Sequence, residues 1–160
     1  MFHHLLREGT IRVGFEAPNR EAALAELVAL LPPEDLTAKQ KGALLEGLLE
    51  RERFGTTAVG EGLALPHCIL PGISAPLAFL GISRKGIPFS SLDGNPVHLI
   101  FLVVIPEENQ AREKKNQILH DASLFFRDSF WRERLKICAT PEEAYEIVMR
   151  EGSQYLSLAG

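Results

Sequence analysis

The residues whose types and spacing could do chemistry together are Arg51, Thr56, Thr57 and His67, set among Gly55, Gly60 and Gly62. His67 follows Pro66, which fixes its own φ and pushes Leu65 toward an extended conformation, so the imidazole sits on a stiff mount. The glycines allow backbone shapes and close approaches that side chains would block, as suits a loop whose N–H groups face an anion. Thr56 and Thr57 add hydroxyl donors, and Arg51 adds a planar fork that matches phosphate oxygens. Imidazole is half neutral near physiological pH, so it can attack phosphorus as a free base and later leave as a phosphorylated cation. Together these groups point to phosphoryl transfer, with His67 and Arg51 catalytic and Thr57 a phosphate-binding candidate.

Each of these residues also has a plainer reading. A cation in the last turn of a helix, as Arg51 would be, is favoured by the helix dipole alone. Thr57 could satisfy loop backbone groups instead of a phosphate. Glu52 reads as a structural partner for a nearby basic group. Cys68, next to His67 in an extended segment, points to the opposite side and reads as a small packed residue. His98 lies in an apolar strand and reads as structural. His3 and His4 fall in an N-terminal stretch expected to be mobile, and no neighbouring Cys, Asp or Glu completes a metal-ligand set.

The elements that must position these groups are legible from periodicity and capping. Residues 11–15 alternate weakly and predict an edge strand. Asn19 caps a helix carrying Leu24, Leu27, Val28 and Leu31, which Pro32 and Pro33 stop. Thr37 and Gln40 form a capping box for a second helix, striped by Leu44, Leu45, Leu48 and Leu49 and ending before Gly55, with Arg51 in its last turn. Residues 77–83 and 97–105 predict strands, the second so uniformly apolar that it reads as central and buried on both faces. Ile118, Leu119, Ala122, Phe125 and Phe126 form the apolar face of a third helix, and residues 130–135 a short one. The last helix is capped by Thr140, starts at Pro141, is boxed by Glu143, and is expected to stop before Gly152.

Composition excludes several classes. A chain of 160 residues is read as one domain, with a net charge of −4 and no basic run, unlike a nucleic-acid binder. The longest apolar run, residues 99–105, is far below the roughly 20 residues a membrane helix needs, and no signal-peptide pattern opens the chain, so direct membrane insertion is not expected. Cys68 and Cys138 stand in no paired motif, so both are read as reduced thiols.

Arg51-Glu52, Thr57, and the run from Gly60 to His67 (Gly-Glu-Gly-Leu-Ala-Leu-Pro-His) resemble the type 2 enzyme IIA domain of the bacterial phosphotransferase system. This is its fructose, mannitol and nitrogen-regulatory branch. The resemblance continues through Lys85-Gly86-Ile87-Pro88-Phe89 and through residues 92–102, and covers nearly the whole chain. It implies an α/β fold, a central mixed β-sheet flanked by helices, over a single domain of residues 1–160. It further implies a cytoplasmic carrier without a cofactor, whose His67 takes phosphate from an HPr-like phosphohistidine carrier protein. The phosphate passes to a cysteine of a IIB domain, or signals to a regulatory target protein. Leu63, Leu65 and Ile69 are candidates for an apolar docking rim.

The family's second histidine, early in the helix after the central strand, aligns with Lys115. A lysine can offset phosphate charge, and Lys115 is therefore a phosphate-binding candidate, but it cannot accept a hydrogen bond. His120 is a poor substitute, because five residues along a helix rotate it about 140° away. Two alternatives follow: a regulatory module of the same fold that binds a partner without transferring phosphate, or a small-anion sensor built on His67 and Arg51.

Overall fold

The computed structural model describes residues 2–159. Six strands form one sheet: β1 (Ile11–Val13), β2 (Ala58–Gly60), β3 (Leu63–Ala64), β4 (His67–Leu70), β5 (Leu77–Ile87) and β6 (Val97–Pro106). The helices are α1 (Arg20–Leu30), α2 (Ala38–Arg53), α3 (Ala111–Arg127), α4 (Ser129–Lys136) and α5 (Pro141–Ala159), preceded by 3-10 turns at Phe2–Leu5 and Glu8–Thr10. The expected α/β class, a mixed sheet with flanking helices, is what the chain adopts.

Local chemistry sets the helix starts. The Asn19 side chain accepts the Ala22 N–H at 2.8 Å, and Thr37 and Gln40 cap each other's backbone at 3.1 and 2.9 Å. Glu143 N–H donates to the Thr140 hydroxyl at 3.2 Å ahead of α5.

β6 is central, as its apolar run predicts. It pairs antiparallel with β5 on one side and parallel with both β3 and β4 on the other. β1 lies outside β5, and β2 outside β3. The line formed by β3 and β4 is interrupted at Leu65-Pro66, because proline has no N–H for the ladder. Its carbonyl still accepts from Val103 N–H at 3.0 Å.

Side chains along β6 alternate between two cores. Leu99, Phe101, Val103 and Ile105 pack with Phe125, Phe126 and Val148 on the side of α3 and α5, whereas Ile100, Leu102 and Val104 pack with Leu24, Leu27, Leu44 and Leu48 on the side of α1 and α2. This alternation places the site. His67 registers with Val103 and therefore faces α3, while Cys68 registers with Val104 and faces α2.

Two expectations are corrected. The N-terminal stretch packs: Phe2 and His3 are fully buried, and the Phe2 ring meets Phe101, Phe125 and Phe126 at centroid distances of 5.5–5.8 Å. Gly152 lies inside α5 and does not end it. A Cβ there would meet His3 Cβ and Phe2 Cζ at 3.5 Å, an ordinary van der Waals distance, so the N-terminal turn packs directly against this part of the helix. The short strands β2, β3 and β4 are too brief for a period-2 pattern to reveal.

Candidate active site

His67 stands at the start of β4, partly buried, on the strand face that α3 covers. Its Nδ1 lies 2.8 Å from the carbonyl oxygen of Leu65. A carbonyl only accepts, so Nδ1 carries the ring proton and Nε2 keeps its lone pair. Pro66 lies between the two groups, and its fixed φ limits how the backbone joining the Leu65 carbonyl to the ring can move. Burial pushes the imidazole below its ordinary range; the Leu65 carbonyl pulls the other way, and the positive charges of Lys115 and Arg51 push it down further. At neutral pH the ring is a neutral base with Nε2 free.

Arg51 occupies the last turn of α2, and its Nη1 donates to the Gly55 carbonyl at 2.8 Å. Lys115 lies on α3, half-buried. Its neighbour Lys114 is held by Glu108 at 2.6 Å, whereas among the described residues Lys115 forms no ion pair. Two cations from different helices therefore act on one imidazole. His120 is exposed further along α3.

Thr57 is buried, and both of its donors go to one carboxylate: the hydroxyl bonds Glu52 Oε1, and the N–H bonds Glu52 Oε2 at 3.1 Å. Glu52 is buried as well and has Arg20, from the first turn of α1, at 3.7 Å. It thus has the basic partner its sequence context suggests. Thr56 accepts the Ala58 N–H at 3.0 Å and donates to the Phe89 carbonyl at 3.3 Å.

The loop N–H groups expected to face an anion are largely engaged within the protein. Gly55 N–H reaches the Glu52 carbonyl at 3.2 Å, and Glu61 N–H reaches Asp93 Oδ2 at 2.9 Å. Asp93 also accepts from Asn95 N–H and the Ser91 hydroxyl; these bonds, led by that from Glu61, hold its carboxyl at about 2. Asp93 thereby pins residues 91–95 to the turn between β2 and β3. The positive potential at His67 comes from Arg51 and Lys115.

The expected apolar rim is also corrected, since Leu63 and Leu65 are buried in the core. The exposed apolar side chains beside the loop are Phe54, 85% exposed next to Gly55, and Leu92, 77% exposed, whose N–H bonds the Ala58 carbonyl. His98 donates through Nδ1 to the Ser83 carbonyl at 2.9 Å, tying β6 to β5. Among the described residues no group of three or more His, Cys, Asp or Glu is placed to hold a metal ion, and no helix is long and apolar enough to cross a membrane.

Residues 4–151 match the family described as "Phosphoenolpyruvate-dependent sugar phosphotransferase system, EIIA 2". The chain belongs to this EIIA 2 family. A relative called nitrogen regulatory protein, from Pseudomonas aeruginosa, is 32% identical over 124 residues, covering 78% of this chain and 79% of its own. The crystal structure of the nitrogen regulatory protein IIA-Ntr from Neisseria meningitidis superposes with a TM-score of 0.82 at 27% identity, over 91% of this chain and 97% of that one. The same EIIA fold is seen in a complex of mannitol enzyme IIA with phosphorylated enzyme IIB from Escherichia coli, with a TM-score of 0.71 at 16% identity, over 90% and 96% of the two chains.

Proposed function

We propose that His67 Nε2 is the phosphoryl acceptor of a cytoplasmic phosphotransferase-system carrier whose output is regulatory. The observation that carries this reading is the Nδ1 contact with Leu65, which leaves Nε2 as the nucleophile. In the proposed step the Nε2 lone pair forms a bond to phosphorus as the nitrogen–phosphorus bond of an HPr-like phosphohistidine donor breaks. The electron pair returns to the donor imidazole. The His67 ring becomes cationic, and its Nδ1–H bond to Leu65 strengthens as charge develops. Arg51 and Lys115 offset the equatorial phosphoryl oxygens, and positioning does the remainder.

Thr57, the expected phosphate-binding residue, gives both its hydroxyl proton and its N–H to Glu52, so its part is to hold the loop that carries the Leu65 carbonyl rather than to bind the anion. Phe54 and Leu92 offer apolar contact to a docking protein. The regulatory output is favoured by the relatives named for nitrogen regulation. Transfer onward to a IIB cysteine is the second reading, favoured by the IIA–IIB complex built on this fold.

The test is to phosphorylate the protein from a phosphohistidine donor and assign the linkage by nitrogen and phosphorus NMR. A bond to Nε2 of His67 is expected. A phosphoryl group on Nδ1, or on another residue, overturns the reading.

A further inference from the structure

We propose that Glu52 is a positioning residue for phosphoryl transfer, its side chain acting on His67 through a short chain of hydrogen bonds, with a second chain through its backbone carbonyl holding Arg51. The first chain starts at the carboxylate, which takes the Thr57 hydroxyl on Oε1 and the Thr57 N–H on Oε2 at 3.1 Å. The Thr57 carbonyl then accepts from Leu65 N–H at 2.9 Å, and the Leu65 carbonyl accepts from His67 Nδ1 at 2.8 Å. The second chain starts at the Glu52 backbone carbonyl, which accepts from Gly55 N–H at 3.2 Å, and the Gly55 carbonyl accepts from Arg51 Nη1 at 2.8 Å. The Glu52 side chain thereby sets the tautomer-fixing carbonyl of the nucleophile, while the backbone at the same position anchors the turn that holds the guanidinium.

A buried carboxylate beneath a site for an anion needs its own charge offset, or it would repel the incoming phosphoryl group. Arg20 supplies part of that offset, with Nη1 at 3.7 Å from Oε2, while its Nη2 and Nε bond Glu21 at 2.9 and 3.1 Å. The arrangement explains why a charged side chain is kept buried at this position. It directs two acceptor oxygens at the two donors of a single residue, which an apolar side chain of similar size could not do. Glu52 touches neither His67 nor the phosphate, so its effect is on geometry.

This inference rests on the reading of His67 as phosphoryl acceptor, and the experiment separates the two. Glu52→Gln, Thr57→Val and Thr57→Ser are compared with wild type for thermal unfolding, for the ring nitrogen NMR signals of His67, and for kcat and KM with a phosphohistidine carrier as donor. Glu52→Gln and Thr57→Val are expected to shift the His67 ring from the Nδ1–H form toward a tautomer mixture. They are expected to lower kcat by about tenfold or more with little change in donor KM, while Thr57→Ser retains wild-type behaviour. Wild-type ring signals and kcat in folded Glu52→Gln and Thr57→Val overturn the inference. If Glu52→Gln does not fold, Thr57→Val, which removes one hydroxyl from a side chain of the same shape, decides alone. If wild type accepts no phosphate, the phosphocarrier reading fails, and unchanged ring signals in the variants overturn the positioning role independently.

Discussion

His67 gives its Nδ1 proton to the carbonyl oxygen of Leu65, two residues earlier in the chain, at 2.8 Å. The residue between them is Pro66, whose ring fixes the backbone φ between carbonyl and imidazole. This contact converts a generic histidine into one with a defined free nitrogen. Because Leu65 N–H is also held by the Thr57 carbonyl at 2.9 Å, the tautomer depends on the loop that follows α2.

The first prediction concerns pH. Burial, and then the charges of Lys115 and Arg51, hold the His67 imidazole below its ordinary value of 6.5, so the neutral nucleophile persists to lower pH than in a free imidazole. An NMR titration of the ring is expected to give a midpoint below 6.5. A midpoint above it contradicts the placement of the two cations.

Lys115→Ala removes one of those cations. The His67 midpoint is expected to rise, and the rate of phosphate acceptance to fall by roughly tenfold, less than the loss typical of a fully enclosed oxyanion donor because Lys115 is half-buried. Lys115→Arg is expected to retain most of the rate. Stopped-flow or quench measurements with a phosphorylated donor check both, and an unchanged rate in Lys115→Ala excludes a role for its charge.

Truncating Phe2 tests the packing of the N-terminal turn. Its ring is fully buried against Phe101, Phe125 and Phe126, so Phe2→Ala is expected to lower unfolding stability by about 3–5 kcal/mol. Urea denaturation measures this directly, and a change within about 0.5 kcal/mol, typical of a surface site, contradicts the packing.

His3 makes stability depend on pH. Among the described residues both ring nitrogens of His3 are buried without a hydrogen-bond partner, and burial, followed by the charge of His4, lowers the ring to about 4. The unfolded chain protonates near 6.5 and the folded one near 4, so folding stability is fully present above pH 6.5 and is lost progressively as pH falls toward 4. His3→Leu is expected to flatten that dependence in denaturation curves at pH 7.5 and pH 4.5. Equal acid sensitivity in wild type and variant contradicts the assignment.

The central strand, the helix caps and the His67 segment were legible in the sequence because each depends on local chemistry: an unbroken apolar run, a polar cap three residues from its partner, a proline before a histidine. What was hidden depends on distant residues. Arg20 reaches Glu52 across two helices, and no spacing rule connects them. The Asp93 bond to Glu61 joins two loops 32 positions apart. Leu63 and Leu65 look like surface residues in a loop, yet the register with β6 turns them into the core and leaves Phe54 and Leu92 outside. The N-terminal turn reads as mobile from its two histidines, yet Phe2, His3 and Leu6 are all buried.

The most direct test of the account is phosphorylation of the purified protein by a phosphoenolpyruvate-driven enzyme I and HPr-like carrier, comparing wild type with His67→Ala. Acid-labile label on wild type, absent from a folded His67→Ala, is the predicted result. Label of equal extent on both proteins, or none on wild type while a control IIA is labelled in the same mixture by each of several donor carriers, contradicts it.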